Sequence, residues 1–222
     1  MAGLPEIETE DWFRDWRAPD VFLSKARTCL AKLVKHSGGI LLEKPTYQYL
    51  VRAETIGRFA SALAGIEEEA PAELSKLAPT YARLNFKQFP HFLLHMDGEE
   101  VGFELMDADR RERKRPIDPT KRTPRDDDSD SDDDDGEPEK LEEFAIGAIE
   151  HAVKTRLKKD YGFKTNLVIQ LKPPMEGAVE LPVERLVDLT KPACTRCLSV
   201  WVMMPLNVVR TWPKPLSWKA VT

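Results

Sequence analysis

Apolar residues recur at intervals of three and four along the N-terminal part of the chain, which is the spacing of one helix face. This pattern predicts a first helix over residues 21–36, with Asp20 as its N-cap. A second helix with a broader apolar stripe is predicted over residues 45–64. The stripe of the first helix consists of Phe22, Ala26, Cys29, Leu30 and Leu33.

The middle of the chain changes to strand-like patterns. The segment TYARLNF alternates apolar and polar residues, and FPHFLLHM and EEVGFELM flank Asp97-Gly98, a pair that favours a tight hairpin turn. Further along, TNLVIQLK and LSVWVMM are continuous apolar runs, which are typical of strands buried on both faces. The tail NVVRTWPKPLSWKAVT is expected to add an edge strand.

The clearest helical pattern extends over residues 139–161, and a short helix is predicted over 183–189. The stripe of the long helix consists of Leu141, Phe144, Ala145, Ala148, Ile149, Ala152, Val153 and Leu157. The predicted order is helix, helix, three strands, helix, strand, helix, strand. This order predicts an α/β domain built around a mixed sheet.

Charge is concentrated in one segment. Residues 110–125 contain eight basic and two acidic residues, and residues 126–143 contain twelve acidic residues and one lysine. With its prolines and without an apolar period, residues 110–138 are expected to be a disordered loop, named here the charged segment. We therefore predict that residues 1–45 form an arm and a helix, and that residues 46–222 form the α/β domain, interrupted by this segment.

Composition favours a soluble cytoplasmic protein. Hydrophobic residues make up 41% of the chain, and no apolar run approaches the roughly 18 residues that span a bilayer. The three cysteines are too few for a disulfide framework, and the acidic N-terminus lacks the apolar stretch of a signal peptide. We expect no membrane contact. Cys194 and Cys197 form a lone CxxC pair, which does not favour a zinc site.

Four segments together carry a resemblance to a known superfamily. They are FPHF, GFELM, the helix end VKTRLKKDYGF and the apolar run TNLVIQLK. In these places the chain resembles the restriction-endonuclease-like superfamily of PD…(D/E)xK nucleases, and in particular bacterial proteins of this fold with a degenerate motif. The resemblance covers about residues 46–204. It implies a core of a helix, a three-strand meander, a second helix and a further strand.

The resemblance also implies a catalytic centre on the hairpin. In the superfamily, two carboxylates bind Mg²⁺, and a lysine two positions after the second one activates water and stabilises charge on the phosphate. Here Glu104 matches the second carboxylate, whereas His91 stands at the first and is expected as a substitute metal ligand. Met106 stands at the lysine position. From the pattern alone, His91 also suits a structural role.

Other residues are expected to complete this centre. Glu54, on the second helix, matches a carboxylate that helices often add to the metal site. Because some members supply the lysine from the following helix, Lys154 or Lys158 is expected in that catalytic role. The spacing of Glu150, Lys154 and Lys158 is the arrangement of ion pairs on a helix surface, and this alternative is the one that the pattern favours.

Basic residues at the start of the charged segment are candidates for weak contacts with phosphate backbones. They are Arg110, Arg111, Arg113, Lys114 and Arg115. A solvated loop without a binding role is the alternative.

Three functions remain open from the sequence. The first is a nuclease-fold protein of weak or absent activity that binds nucleic acid, DNA or RNA, or binds a protein partner through the charged segment. The second is an active Mg²⁺-dependent nuclease with a migrated lysine. The third is a protein-interaction domain without a nucleic-acid role.

Overall fold

A computed structural model describes most of the chain. The described residues are 7–37, 42, 44–65, 77–85, 89–108, 138–160, 164–172, 180–205, 207–213 and 216–219. The predicted disordered loop lies outside them except for its last residue, Pro138, and so do its five candidate phosphate-binding residues.

The described residues contain four α-helices near the predicted positions. They are α1 (Pro19–Ser37), α2 (Gln48–Ala64), α3 (Pro138–Lys158) and α4 (Val183–Thr190). Asp20 lies in the first turn of α1 and not at its N-cap, because the helix begins at Pro19. Proline suits the first position of a helix because its fixed φ is already helical. The backbone N–H that proline lacks would have no hydrogen-bond partner within the helix at this position. None of the helices in this part of the chain is long and apolar enough to cross a membrane.

Within the described ranges, seven strands form one open mixed sheet in the order β1 to β7. The strands are β1 (Pro79–Leu84), β2 (Phe92–Met96), β3 (Glu99–Ala108), β4 (Thr165–Leu171), β5 (Cys197–Met203), β6 (Asn207–Trp212) and β7 (Leu216–Lys219). The pairs β3–β4 and β4–β5 are parallel, and all other pairs are antiparallel. The tail thus forms two strands where the sequence predicted one. The chain has an α/β fold.

Local sequence explains the connections. Asp97 and Gly98 have φ values of 49° and 81°, which are the left-handed conformations that a tight β2–β3 hairpin requires. Strands β3, β4 and β5 run parallel because α3 and α4 cross over between them.

Two apolar clusters cover the two faces of the sheet. The cluster on one face joins α1 and α2 to the sheet and contains Phe59 and Trp201. It also contains Phe13 and Phe22, so the first 45 residues contribute to this core. The cluster on the other face joins α3 and α4 to the sheet. Strand β4 lies between both clusters, which explains its unbroken apolar run.

Candidate functional site

Glu104 lies in the middle of β3 and its side chain is fully buried. Side chains alternate along a strand, so Glu104 faces α3 together with Met106, whereas Phe103 faces the α1–α2 layer. Met106 is buried in the apolar cluster beneath α3. The strand position at which the resemblance implied a lysine is therefore filled by an uncharged side chain.

Two cations reach Glu104 from the end of α3. Arg156 Nε lies 2.7 Å from Glu104 Oε2, and Lys159 Nζ lies 3.0 Å from Glu104 Oε1. Arg156 is as buried as Glu104, while the Lys159 side chain is 39% exposed. We name these three residues the Glu104 cluster. Its two cations were not among the candidates predicted from the sequence.

The Arg156 guanidinium also ties α3 to the start of β4. Its Nη1 donates to the Lys159 carbonyl oxygen at 3.1 Å, and its Nη2 donates to Thr165 Oγ1 at 3.1 Å. The partners of Arg156 thus come from β3, from the segment after α3 and from β4. Because a buried charge is costly unless it is paired and hydrogen-bonded, this set of contacts makes the burial of Arg156 tolerable.

A sequence signal for Arg156 exists. Arg156 follows Ile149, Ala152 and Val153 at the intervals of the buried stripe of α3, so a charged residue lies on this stripe near its C-terminal end. A charged residue on a buried stripe needs a buried counter-ion, and Glu104 is an acid that lies between the apolar residues Phe103 and Leu105.

The predicted lysines lie on the outer surface of α3. Both Lys154 and Lys158 are exposed, and Lys154 Nζ pairs with Glu150 Oε2 at 3.5 Å, one helical turn away. This contact is the ion pair that the four-residue spacing also suggested. The lysine that the structure brings to Glu104 is Lys159.

Glu54 lies on the other side of the sheet. Helix α2 packs in the α1–α2 layer, where Glu54 Oε1 is 3.7 Å from Arg27 Nε and 3.9 Å from Arg58 Nε. Arg58 in turn donates to the Pro205 carbonyl oxygen at 2.8 Å. Glu54 therefore connects α1 with α2, while Glu104 faces α3.

His91 directly precedes β2 and bonds to β3 through both its backbone and its side chain. Its backbone N–H donates to the Phe103 carbonyl oxygen at 2.9 Å, and its Nδ1 lies 3.1 Å from both the nitrogen and the oxygen of Leu105. Burial lowers the pKa of His91, as do the positive charges of Arg52 and Lys159, and these effects outweigh the Glu104 charge and the Leu105 hydrogen bond, which raise it. The imidazole is therefore mainly uncharged at neutral pH.

A cleft of about 240 Å³ adjoins the Glu104 cluster at the end of β3. It lies where the two layers meet, since both Ile56 of α2 and Met106 line it. Its polar lining consists of Arg52, Asn85, His91, Asp107 and Lys159.

The charged residues that line this cleft differ in whether they have a partner of opposite charge. Asp107 Oδ2 is bound by Lys172 Nζ at 2.8 Å. Across the part of the chain that the structure describes, the exposed Arg52 makes no hydrogen bond or ion pair. A guanidinium with unused donors in a concave site is suited to bind an anion.

Comparison of the chain with known protein families, with curated proteins and with solved structures found no match. We therefore infer its function from the Glu104 cluster and the adjoining cleft.

Proposed function

We propose that the chain is a restriction-endonuclease-like protein that binds nucleic acid and does not cleave it efficiently. The observation that carries this proposal is the Glu104 cluster. At the position where the resemblance implies a metal-binding carboxylate, Arg156 and Lys159 lie 2.7 and 3.0 Å from the two oxygens of Glu104. The element order from α2 to β4 supports the proposed superfamily, because it is the order that the resemblance implies.

The residues around Glu104 do not fit a Mg²⁺ site. Magnesium requires oxygen ligands in near-octahedral geometry, whereas the partners of this carboxylate are an arginine and a lysine. No group of three or more His, Cys, Asp or Glu residues suited to a metal occurs among the described residues. A metal bound at Glu104 would also displace Arg156 and leave a buried guanidinium without its counter-ion, which is strongly unfavourable.

Binding of nucleic acid is supported by the cations of the cleft. Lysine and arginine side chains attract the phosphate backbone without reading its sequence. Arg52 and Lys159 line the cleft at the end of β3. In the sequence, the basic run that starts at Arg110 follows the last residue of this strand, Ala108, almost directly.

A nuclease and binding assay on the full chain tests this proposal. Labelled single-stranded and duplex DNA and RNA are incubated with Mg²⁺, Mn²⁺ or EDTA, and binding is followed by fluorescence anisotropy. We expect intact oligonucleotides in every metal condition, equal affinity in Mg²⁺ and EDTA, and weaker binding as the salt concentration rises. Absence of binding to all four nucleic acids would overturn the proposal and favour a protein-interaction role.

An active nuclease is the second candidate, because the Lys159–Glu104 contact brings together a lysine and an acid of the type that the superfamily uses. It predicts metal-dependent cleavage that is lost in Lys159→Met. The matched control is Lys191→Met, which alters an exposed lysine in the short helical segment Lys191–Thr195. Cleavage that disappears in Lys159→Met and persists in Lys191→Met would replace our proposal with this one.

A further inference from the structure

We propose that one face of β1 and β2 stacks against unpaired bases, so that the nucleic acid which the protein binds is single-stranded. This inference rests on the proposed function, since it names the class of nucleic acid. The surface consists of Trp16, Tyr81, Arg83, Leu93 and His95, and we name it the aromatic patch.

The aromatic patch lies on the sheet face that α3 and α4 cover farther along the sheet. Tyr81 pairs with His95 of β2, and His95 pairs with Glu100 of β3, which alternation places on the same face as Glu104. The apolar cluster beneath α3 and α4 contains no described residue of β1 or β2, and every residue of the patch is exposed or half-buried. Among the described residues, this part of the face therefore remains accessible to a ligand.

Trp16 reaches the patch because the chain before α1 runs along the edge of β1. The Arg17 N–H donates to the Ala82 carbonyl oxygen at 3.1 Å, and the Ala82 N–H donates to the Arg17 carbonyl oxygen at 2.8 Å. The neighbours of these two residues, Trp16 and Arg83, meet on the open face, where the guanidinium carbon lies 4.5 Å from the centre of the indole ring. This cation–π contact fixes the indole at the surface of the sheet.

Three aromatic rings lie next to one another in the patch. The centre of the His95 ring is 6.2 Å from that of Trp16 and 6.1 Å from that of Tyr81. Thr80 Oγ1, 2.9 Å from His95 Nδ1, orients the imidazole. Tyr81 is 48% exposed, although a tyrosine ring has a large apolar area to bury. Exposed aromatic rings on a sheet are suited to stack with bases, because every base has a π face.

The patch continues into the cleft at the end of β3. Asn85 follows Arg83 by two residues and His91 precedes Leu93 by two, and both Asn85 and His91 line the cleft. The Asn85 N–H donates to the His91 carbonyl oxygen at 2.9 Å, directly beyond the ends of β1 and β2. A nucleic-acid strand that places a phosphate at Arg52 in the cleft can therefore lay its bases on the patch.

The charges of the patch favour contact with bases over contact with phosphates. Arg83 pairs with Glu100 at 3.4 Å, and the adjoining Arg17 pairs with Asp15 at 2.9 Å, so that these groups are balanced in charge. The bases of a duplex stack on one another, whereas those of a single strand can be splayed out onto a protein surface. The patch thus distinguishes single strands from duplexes, while the cleft supplies the contact with phosphate.

The test compares three oligonucleotides that share one length and one fluorescent label. They are a single strand, the duplex of the same sequence, and a strand that retains its sugars and phosphates but has no bases. Each is titrated with the full chain in EDTA, and binding is followed by fluorescence anisotropy. We expect the base-containing single strand to bind about tenfold more tightly than the other two, a factor that corresponds to one stacked base.

A matched pair of variants assigns this preference to the patch. Tyr81→Leu should weaken binding of the base-containing single strand about tenfold and leave binding of the baseless strand unchanged. Trp212→Leu is the control, since Trp212 is 40% exposed and lies in β6, at the other end of the sheet. This control should retain the full preference for bases.

The outcomes separate this inference from the proposed function. Equal affinity of the wild-type protein for the base-containing and baseless strands overturns the inference and leaves nucleic-acid binding intact. This comparison decides the question even where Tyr81→Leu is unstable. A preference for bases that persists in folded Tyr81→Leu also overturns the inference. If no oligonucleotide binds, the proposed function and the inference both fail, and a protein partner is favoured for the patch.

Discussion

Arg156 Nε lies 2.7 Å from Glu104 Oε2, with both side chains removed from solvent. The pair joins the last turn of α3 to the middle of β3, and Thr165 and the Lys159 carbonyl oxygen hold the other side of the guanidinium. A buried ion pair of this kind is costly to break from one side only, because the remaining charge has no counter-ion.

We therefore predict that the effects of substitutions in this pair on the free energy of unfolding are not additive. Glu104→Leu or Arg156→Met alone should each lower the free energy of unfolding by about 3–5 kcal/mol, and the double variant should lower it by clearly less than the sum. Urea denaturation of the four proteins measures this coupling. Additive losses would show that Glu104 and Arg156 do not depend on each other.

Close packing between α1 and α2 gives a second prediction. A Cβ atom at Gly57 would lie 2.8 Å from the Leu23 Cα atom, and this backbone atom moves only if α1 shifts. Gly57→Ala should therefore destabilise the protein by about 1–3 kcal/mol, as overpacked cores do. Gly65→Ala is the matched control, since its nearest neighbour would be 3.6 Å away. Equal stabilities of the two variants in urea denaturation would contradict this packing.

Tyr49 makes the stability of the folded protein depend on pH in the alkaline range. Burial raises the pKa of Tyr49 to about 12, and its hydroxyl donates to the Glu8 carbonyl oxygen at 2.7 Å. The unfolded chain loses this proton at a pKa of about 10. Since the folded pKa is the higher one, the stabilising contribution is complete below pH 10 and is lost as the pH rises towards 12.

We expect the free energy of unfolding to decline over this window in the wild-type protein and to decline less in Tyr49→Phe. Tyr81→Phe, which alters a tyrosine that is 48% exposed, is the control for the loss of one phenol. Absorbance at 295 nm should show that the Tyr49 phenol ionises above pH 10 in the folded protein. Ionisation of all tyrosines near pH 10 while the protein remains folded would refute this assignment.

Cys194 and Cys197 are expected to react slowly with thiol reagents in the folded protein. Burial raises the pKa of Cys197 to about 11, and burial also raises the pKa of Cys194. Because the thiolate is the reactive form, both thiols should remain largely unmodified by a disulfide reagent at pH 8. Mass mapping should show partly buried Cys194 modified before buried Cys197, and both modified at once in denaturant. Rapid native modification of Cys197 would contradict its burial.

The predicted helices and strands were confirmed closely because their signals are local. The β2–β3 hairpin follows from Asp97-Gly98 and its flanking runs, and α3 begins one residue before the predicted start. The predicted loop and its arginines lie outside the described residues, so these expectations remain predictions.

The residues of the candidate site could be predicted from the sequence less well than the helices and strands. The resemblance implied a lysine from the helix after β3 and offered Lys154 or Lys158, whereas the lysine that contacts Glu104 in the structure is Lys159. Lys154 and Lys158 point to solvent, and Lys159 lies beyond the last residue of the helix. Helical periodicity carries no information about a side chain that follows the helix end.

The sequence by itself determined most of the secondary structure and the hairpin turn, because side-chain periodicity and preferred φ values depend on near neighbours. Only the tertiary structure decided which groups meet Glu104. Lys159 is 55 residues away along the chain, and its contact depends on how α3 crosses from β3 to β4. The same packing places Glu54 on the opposite side of the sheet. The charges around Glu104 depend on how the layers of the fold assemble. They make this carboxylate, which the resemblance predicted as a metal ligand, one partner of an ion-pair cluster.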